Sequence, residues 1–204
     1  LTPQDWIRLL EFHGTAVVAD AGAVPDLPPD ATLFQGLRGE QLLWRACAGE
    51  PFEPGEAIVV RRGKDMQGNP SPTDGPLLAQ DAFLAIEVWS ECELAAVHAL
   101  ARLVRLRRGR EPDVLAERLR GAVRWHLEHT QPDNATNRPW ALHVFLLADD
   151  GTGDASLYAE TLLHNTLATD ARSEPLSRWI LADAARELRL AQPHLREAQD
   201  MRQV

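Results

Sequence analysis

From residue 77 onward, apolar side chains recur at intervals of three and four, the spacing that places them on one face of an α-helix. Phe83, Ile86, Trp89, Ala96, Leu100 and Leu103 keep this rhythm through to Leu106. Glu87, Glu91 and Glu93 lie early in the run, and Arg102, Arg105, Arg107 and Arg108 lie late, just before Gly109. Acid first and base last complements the helix macrodipole, so the pattern predicts one long helix closed by glycine, its arginines forming a solvated end. Glu111-Pro112-Asp113 opens a second helix, in which Leu115, Ala116, Leu119, Ala122, Val123 and Leu127 share a broad face. Glu117, Arg120, Arg124 and Glu128 fall opposite, His126 near the centre of the apolar face and His129 at its edge.

A polar turn follows from Gln131 to Arg138, and Pro139 suits the first position of a helix over 140–148. That segment is apolar all round except for His143, which makes it central to the fold; its period alone fits a buried strand as well, and its helical neighbours and low β-branched content favour the helix. After a loop from Asp149, Asp154 is placed to cap a helix running from Ala155 to about Ala168, with Leu157, Tyr158, Leu162, Leu163 and Leu167 apolar. Ser173 caps the last helix and Pro175 sits in its first turn; Leu176, Trp179, Ile180, Ala184, Leu188 and Leu190 define its apolar arc to about Ala191, and Pro193 ends it. Asp183 and Glu187 fall inside that arc. Burying unpaired charge is costly, so both carboxylates are expected to have partners, with Arg138 and the histidines as candidates.

The first third of the chain is less regular. Thr2-Pro3-Gln4-Asp5 has the form of a capping box, and Trp6, Ile7, Leu9, Leu10 and Phe12 give a short amphipathic helix that ends near Gly14. Residues 15–30 read as loop with at most a short strand, 39–48 as a second short helix carrying Leu42, Leu43 and Trp44, and 57–60 as a strand. Glycines and prolines without apolar period make 65–76 a linker or exposed loop. The expected organisation is an irregular segment over 1–76 and a helical domain over 77–204. The fold class is mainly α: antiparallel helical hairpins, as a bundle or partial toroid, after an N-terminal segment with at most short strands.

Successive hairpins over 77–191, with aromatic, histidine and acidic residues near their ends (Trp125-His126 and Asn137-Arg138-Pro139-Trp140), resemble α/α-toroid proteins, the helical-hairpin barrels that include terpene cyclases and some polysaccharide lyases and sugar epimerases. The resemblance implies a cleft location and no catalytic residue, because the aspartate-rich signature of the cyclases is absent.

Composition narrows the function classes. The net charge of -9 over 204 residues disfavours nucleic acid as a partner. No apolar run is long enough to span a bilayer and no signal peptide is visible, so a cytoplasmic protein is expected. Cys47 and Cys92, each isolated, read as reduced, packed thiols. Asn134-Ala135-Thr136 is a sequon without a secretion signal to support it.

Candidate chemistry concentrates between Trp125 and Phe145. His126-Leu127-Glu128-His129 is not a zinc-protease motif, because its histidines are three apart and Glu128 points away from both. His126, His143, Asp183, Glu187 and Arg138 form a candidate acid–base set, with Trp125, Trp140, Asn137 and His129 as candidate substrate contacts. Glu160 and His164, four apart, are placed to touch. Trp6, Trp89 and Trp179 lie on apolar faces and are assigned to the core. Three functions are compatible with this inventory. The favoured one is a non-enzymatic helical interaction or scaffold domain that docks a protein partner or another copy of itself. The others are a hydrolase or lyase-like enzyme using histidine–carboxylate acid–base chemistry, and a metal-binding helical bundle.

Overall fold

Thr2 and Asp5 begin the first helix as their types dictate. The Thr2 N–H and hydroxyl donate to the Asp5 carboxylate at 3.0 and 2.6 Å, and the Asp5 N–H donates to Thr2 Oγ1 at 3.2 Å. In the computed structural model, which describes residues 1–18, 38–51, 63–64, 70–71, 75–78, 84–107, 114–130, 136–148 and 152–202, this helix is α1 (Pro3–Val18). It is followed by α2 (Arg38–Cys47), α3 (Ile86–Leu106), α4 (Val114–His129), α5 (Leu142–Ala148), α6 (Asp154–Ala168), a 3₁₀ turn (Asp170–Ser173) and α7 (Pro175–Arg202). Gly63–Lys64 (β1) and Pro70–Ser71 (β2) pair antiparallel. The fold is mainly α.

Helix α1 lies along α7, α2 along α3, and α5 contacts α3, α4, α6 and α7. One apolar core unites them: Trp6, Ile7 and Leu10 from α1, Leu43 and Trp44 from α2, Leu94, Val97 and Leu100 from α3, Phe145 from α5, and Trp179, Ile180 and Leu188 from α7. Each large side chain sealed in this way contributes roughly 1.5–3 kcal/mol relative to exposure. Cys47 and Cys92 are free thiols, and Trp6, Trp89 and Trp179 are in the core as their helix faces imply. Among the described residues no helix is long and apolar enough to cross a membrane.

Several boundaries differ from the sequence expectation. Helix α1 does not end near Gly14 but runs to Val18, because Gly14 is spent on packing rather than on a cap. A Cβ at Gly14 would stand 2.7 Å from the Ala182 backbone nitrogen of α7. Gly14→Ala is therefore expected to lose about 1–2 kcal/mol of stability, the overpacking cost exceeding alanine's helix-propensity gain of about 1 kcal/mol. A urea midpoint equal to the parent's would show that α1 and α7 stand further apart. Phe12, expected on the apolar face, is 78% exposed.

Helix α3 starts at Ile86, not at Leu77; Leu77 and Leu78 are instead a buried bend. Arg102 is sealed in the core, so the late arginines of α3 are not simply a solvated end. Helix α5 starts at Leu142 because Ala141 adopts a left-handed backbone (φ 57°) that interrupts helical geometry. Asp154 is the first helical residue of α6 and not its cap, that position being held by Gly153 at φ 88°. Helix α7 passes through Pro193 to Arg202; a proline forfeits its own N–H bond and strains the preceding turn, without preventing the turns beyond it. Within 65–76, Gly75 is buried and Pro76 half-buried. The strand expected at 57–60, most of the 15–30 loop, the opening at 111–113 and the sequon asparagine lie outside the described residues.

Candidate functional site

Two polar residues of α7 and three of α3 form a buried ladder. His98, Arg102 and Arg105 follow one another by four and three along α3, and Asp183 and Glu187 by four along α7, so each set lies on one face. Arg102 Nη1 donates to Asp183 Oδ1 at 2.5 Å, and His98 Nε2 meets Asp183 Oδ2 at 2.9 Å. Arg186 adds an ion pair at 2.6 Å to Oδ1, and the next rung is Arg105 Nε donating to Glu187 Oε2 at 2.6 Å. The tautomer of His98 follows from its other side. The Ala141 N–H donates to His98 Nδ1 at 3.2 Å, so Nδ1 is an acceptor and Nε2–H donates to Asp183. This bond also explains why Ala141 tolerates a left-handed backbone, at a cost of about 1 kcal/mol or more.

Aromatic rings enclose the ladder. The His98 ring lies 5.4 Å from Trp140, 5.8 Å from Trp44 and 5.9 Å from Trp179, and the Arg102 guanidinium sits 5.8 Å over the Trp179 ring. Burial alone would raise the Asp183 carboxyl, but the His98 hydrogen bond and the charges of Arg102 and Arg186 outweigh it and hold the pKa well below the usual range. His143, edge-on to His98 at 4.5 Å, is pushed the other way: complete burial, and then His98, lower its pKa well below the ordinary 6.5.

A second network fastens the bend at 75–78. The Leu77 and Leu78 N–H groups each donate to the Glu93 carboxylate at 2.6 Å, and Arg118 of α4 donates to the Gly75 and Pro76 carbonyls at 2.8 and 2.5 Å. Glu93 Oε1 also meets His126 Nε2 at 3.3 Å. The Thr130 hydroxyl, which donates to the His126 carbonyl at 3.0 Å, lies 2.9 Å from both His126 Nδ1 and the Tyr158 hydroxyl. This arrangement gives a buried glutamate and a buried arginine on facing helices complementary halves of one backbone clamp.

Between α3, α4, α5 and α7 lies a cavity of about 480 Å³. Its walls are mostly aliphatic: Ala101 and Val104 of α3, Leu119, Val123 and Leu127 of α4, Val144 and Leu147 of α5. His143 and the Arg105–Glu187 pair supply polar wall, and Arg120, Arg124 and Leu190 its exposed edge. Both ring nitrogens of His143, and Oε1 of Glu187, are buried without a hydrogen-bond partner among the described residues, although Oε1 lies 3.8 Å from Arg186 Nη2. Such orphaned groups are uncommon and call for a physical reason.

The candidate residues thus divide among separate surroundings. Asp183 belongs to the ladder, while His143 and Glu187 line the cavity beside it. His126 is in the Glu93 network, paired with a carboxylate of an earlier helix rather than a later one. Arg138 does not serve Asp183 or Glu187: it donates to Glu91 and, at 2.9 Å, to Glu174, tying α3 to the entry of α7. Trp140 is completely buried in the ring cluster around His98 and lines no cleft, because the Ala141 turn points it inward to that cluster. Trp125 is half-buried, edge-on to Trp89 and stacked on the exposed His129 at 5.2 Å. Asn137 is exposed, and so are Glu160 and His164, between which no ion pair forms. Among the described residues no three His, Cys, Asp or Glu side chains are grouped to hold a metal ion.

His98, Arg102, Glu93 and Arg118 were not distinguished by their sequence context. The available signal was the match of polar positions, four apart, inside the apolar arcs of two helices.

One further buried acid stands apart. Glu40 of α2 is completely buried, and burial pushes its pKa up to about 8, with a hydrogen bond from the Cys92 thiol opposing the rise and Glu91 adding to it.

Comparison of the chain with family models, with characterised proteins and with solved structures finds no match.

Proposed function

We propose that this is a non-enzymatic binding domain that holds a small apolar molecule in the cavity between α3, α4, α5 and α7. The observation that carries the reading is His143. A neutral imidazole, neither of whose nitrogens has a hydrogen-bond partner among the described residues, lines a mostly aliphatic wall with Glu187, whose Oε1 has only an ion pair to Arg186 at 3.8 Å. Burying a polar group unpaired costs about 1–3 kcal/mol, and a hydroxyl- or carbonyl-bearing ligand offers these atoms the hydrogen bonds that the described residues do not supply. A volume of about 480 Å³ falls within the range of small-molecule sites, and aliphatic walls with few polar groups are their usual make-up. What favours binding over acid–base catalysis is the division of the titratable groups. Asp183 is held ionised by a hydrogen bond and two arginines, while His126 is engaged by Glu93 and Thr130. Neither has a free position from which to exchange a proton with a substrate in the cavity.

The test is isothermal titration with octan-1-ol on the parent protein and on Leu147→Trp, which fills the cavity from a half-buried wall position. Saturable one-to-one binding to the parent, weakened at least about tenfold (1.4 kcal/mol) in the variant, is expected. Unsaturable binding, or equal binding by both proteins, contradicts the reading.

A further inference from the structure

We propose that the ligand of this cavity is a neutral aliphatic alcohol, whose hydroxyl accepts from the imidazole N–H of His143 and donates to Glu187 Oε1; this rests on the binding function proposed above. The donors and acceptors on the wall carry the choice. His143 is buried, and its neutral ring holds one N–H and one bare nitrogen. His98, edge-on at 4.5 Å, can serve neither, because its Nδ1 accepts from the Ala141 N–H and its Nε2 faces Asp183. Glu187 is anchored through its other oxygen, Oε2, to which Arg105 Nε donates at 2.6 Å. Its Oε1 lies 3.8 Å from Arg186 Nη2, beyond hydrogen-bond reach, and that nitrogen is itself 2.6 Å from Asp183 Oδ1. Among the described residues the cavity thus offers a ligand an N–H donor on α5 and a carboxylate acceptor on α7.

The head group follows by elimination. A ketone or an ether only accepts, so it meets the His143 N–H and leaves Glu187 Oε1 as it is. A carboxylate cannot donate and sets a second negative charge beside Glu187; an ammonium meets Glu187 but cannot accept from His143. Either ion must also leave water for a mostly aliphatic wall, which is costly. A hydroxyl donates and accepts through one oxygen, and its bond to an ionised acceptor is about twice as strong as a neutral one. The rest of the wall sets the body of the ligand. Val104, Leu119, Val123, Val144 and Leu147 are aliphatic, and no Phe, Tyr or Trp is among the described residues that line the cavity. A saturated chain packs against such a surface, whereas a planar ring finds no aromatic face to stack on.

Isothermal titrations of the full chain with octan-2-ol and octan-2-one test this; the two share a carbon skeleton and differ in whether the oxygen carries a proton. The alcohol is expected to bind at least about tenfold tighter than the ketone, the lower end of what a hydrogen bond to a charged group contributes. In Glu187→Gln, which keeps the shape of the side chain and can turn an amide N–H toward the ligand, the ratio is expected to fall to about twofold or less. Equal affinities of the parent for the two compounds, or a ratio that survives Glu187→Gln, overturn the alcohol assignment and leave the apolar cavity standing. The ratio in the parent decides the ligand class by itself, so the test does not depend on the stability of the variant. Failure of both compounds to bind removes the binding function as well.

Discussion

Asp183→Asn is expected to destabilise the protein by about 3–5 kcal/mol, the range for breaking a buried ion pair from one side. Asparagine preserves the shape of the side chain and an acceptor oxygen, so packing changes little. The loss is electrostatic. Arg102 is only 2% exposed and depends on Asp183 for its opposing charge, and an arginine cannot escape the penalty by losing its proton. The urea midpoint reads the effect. A further substitution, Arg102→Met, is expected to restore much of the lost stability, because an apolar chain of similar length removes the buried charge that Asp183 had balanced. A single-variant cost below about 1 kcal/mol would show that solvent screens the pair, as it does at a surface. The same residue sets the acid limit. Its folded pKa is depressed, so its stabilisation is present above the ordinary carboxyl range and is lost as pH falls below about 4 toward that lower value.

Glu40→Gln is expected to act in the opposite direction, by an amount that grows as pH rises from about 4.5 to 8. The folded protein keeps the Glu40 proton up to about pH 8, whereas the unfolded chain releases it near 4.5. Stability therefore falls by about 1.4 kcal/mol per unit as pH rises through this window, and that loss vanishes with glutamine. The variant's advantage over the parent is expected to be about 3 kcal/mol larger at pH 8 than at pH 5. His143 contributes the reverse slope: its folded pKa is depressed, so below 6.5 the unfolded state binds a proton that the folded state rejects, and stability falls on acidification. The two slopes offset each other between about pH 4.5 and 6.5 in the parent, and the variant exposes the His143 slope alone. Thermal unfolding of both proteins from pH 5 to 8 checks this, and parallel curves would contradict the assignment of Glu40.

The sequence made the helices legible where apolar period and punctuation agreed. The face of α4 with Leu115, Ala122, Val123 and His126 is buried as its spacing implies, and the capping box at Thr2–Asp5 forms in full. Asp183 and Glu187 were recognisable as acids needing partners, because they interrupt an apolar arc. Their partners were not recognisable. Arg102 and Arg105 sit in the last turns of α3, where a basic residue usually serves the helix dipole, and local spacing does not reveal that α7 packs across them. Gly14 and Ala141 escaped for a related reason. A glycine inside a helix and an alanine with a left-handed backbone are explained by Ala182 and His98, residues far away in the chain. Trp125 and Trp140 flank the same polar turn, yet one is half-buried on α4 and the other is sealed among Trp44, His98 and Trp179, a difference that local spacing does not reveal.

The claim on which the functional account depends is that ligand enters against His143. Ring ¹H–¹³C resonances of the protein's seven histidines, followed by NMR during titration with octan-1-ol, address it directly. The account predicts that the His143 ring signals shift progressively to saturation while those of the exposed His129 and His164 stay in place. A saturating titration in which His143 does not move, or in which the surface rings move instead, would place the ligand elsewhere.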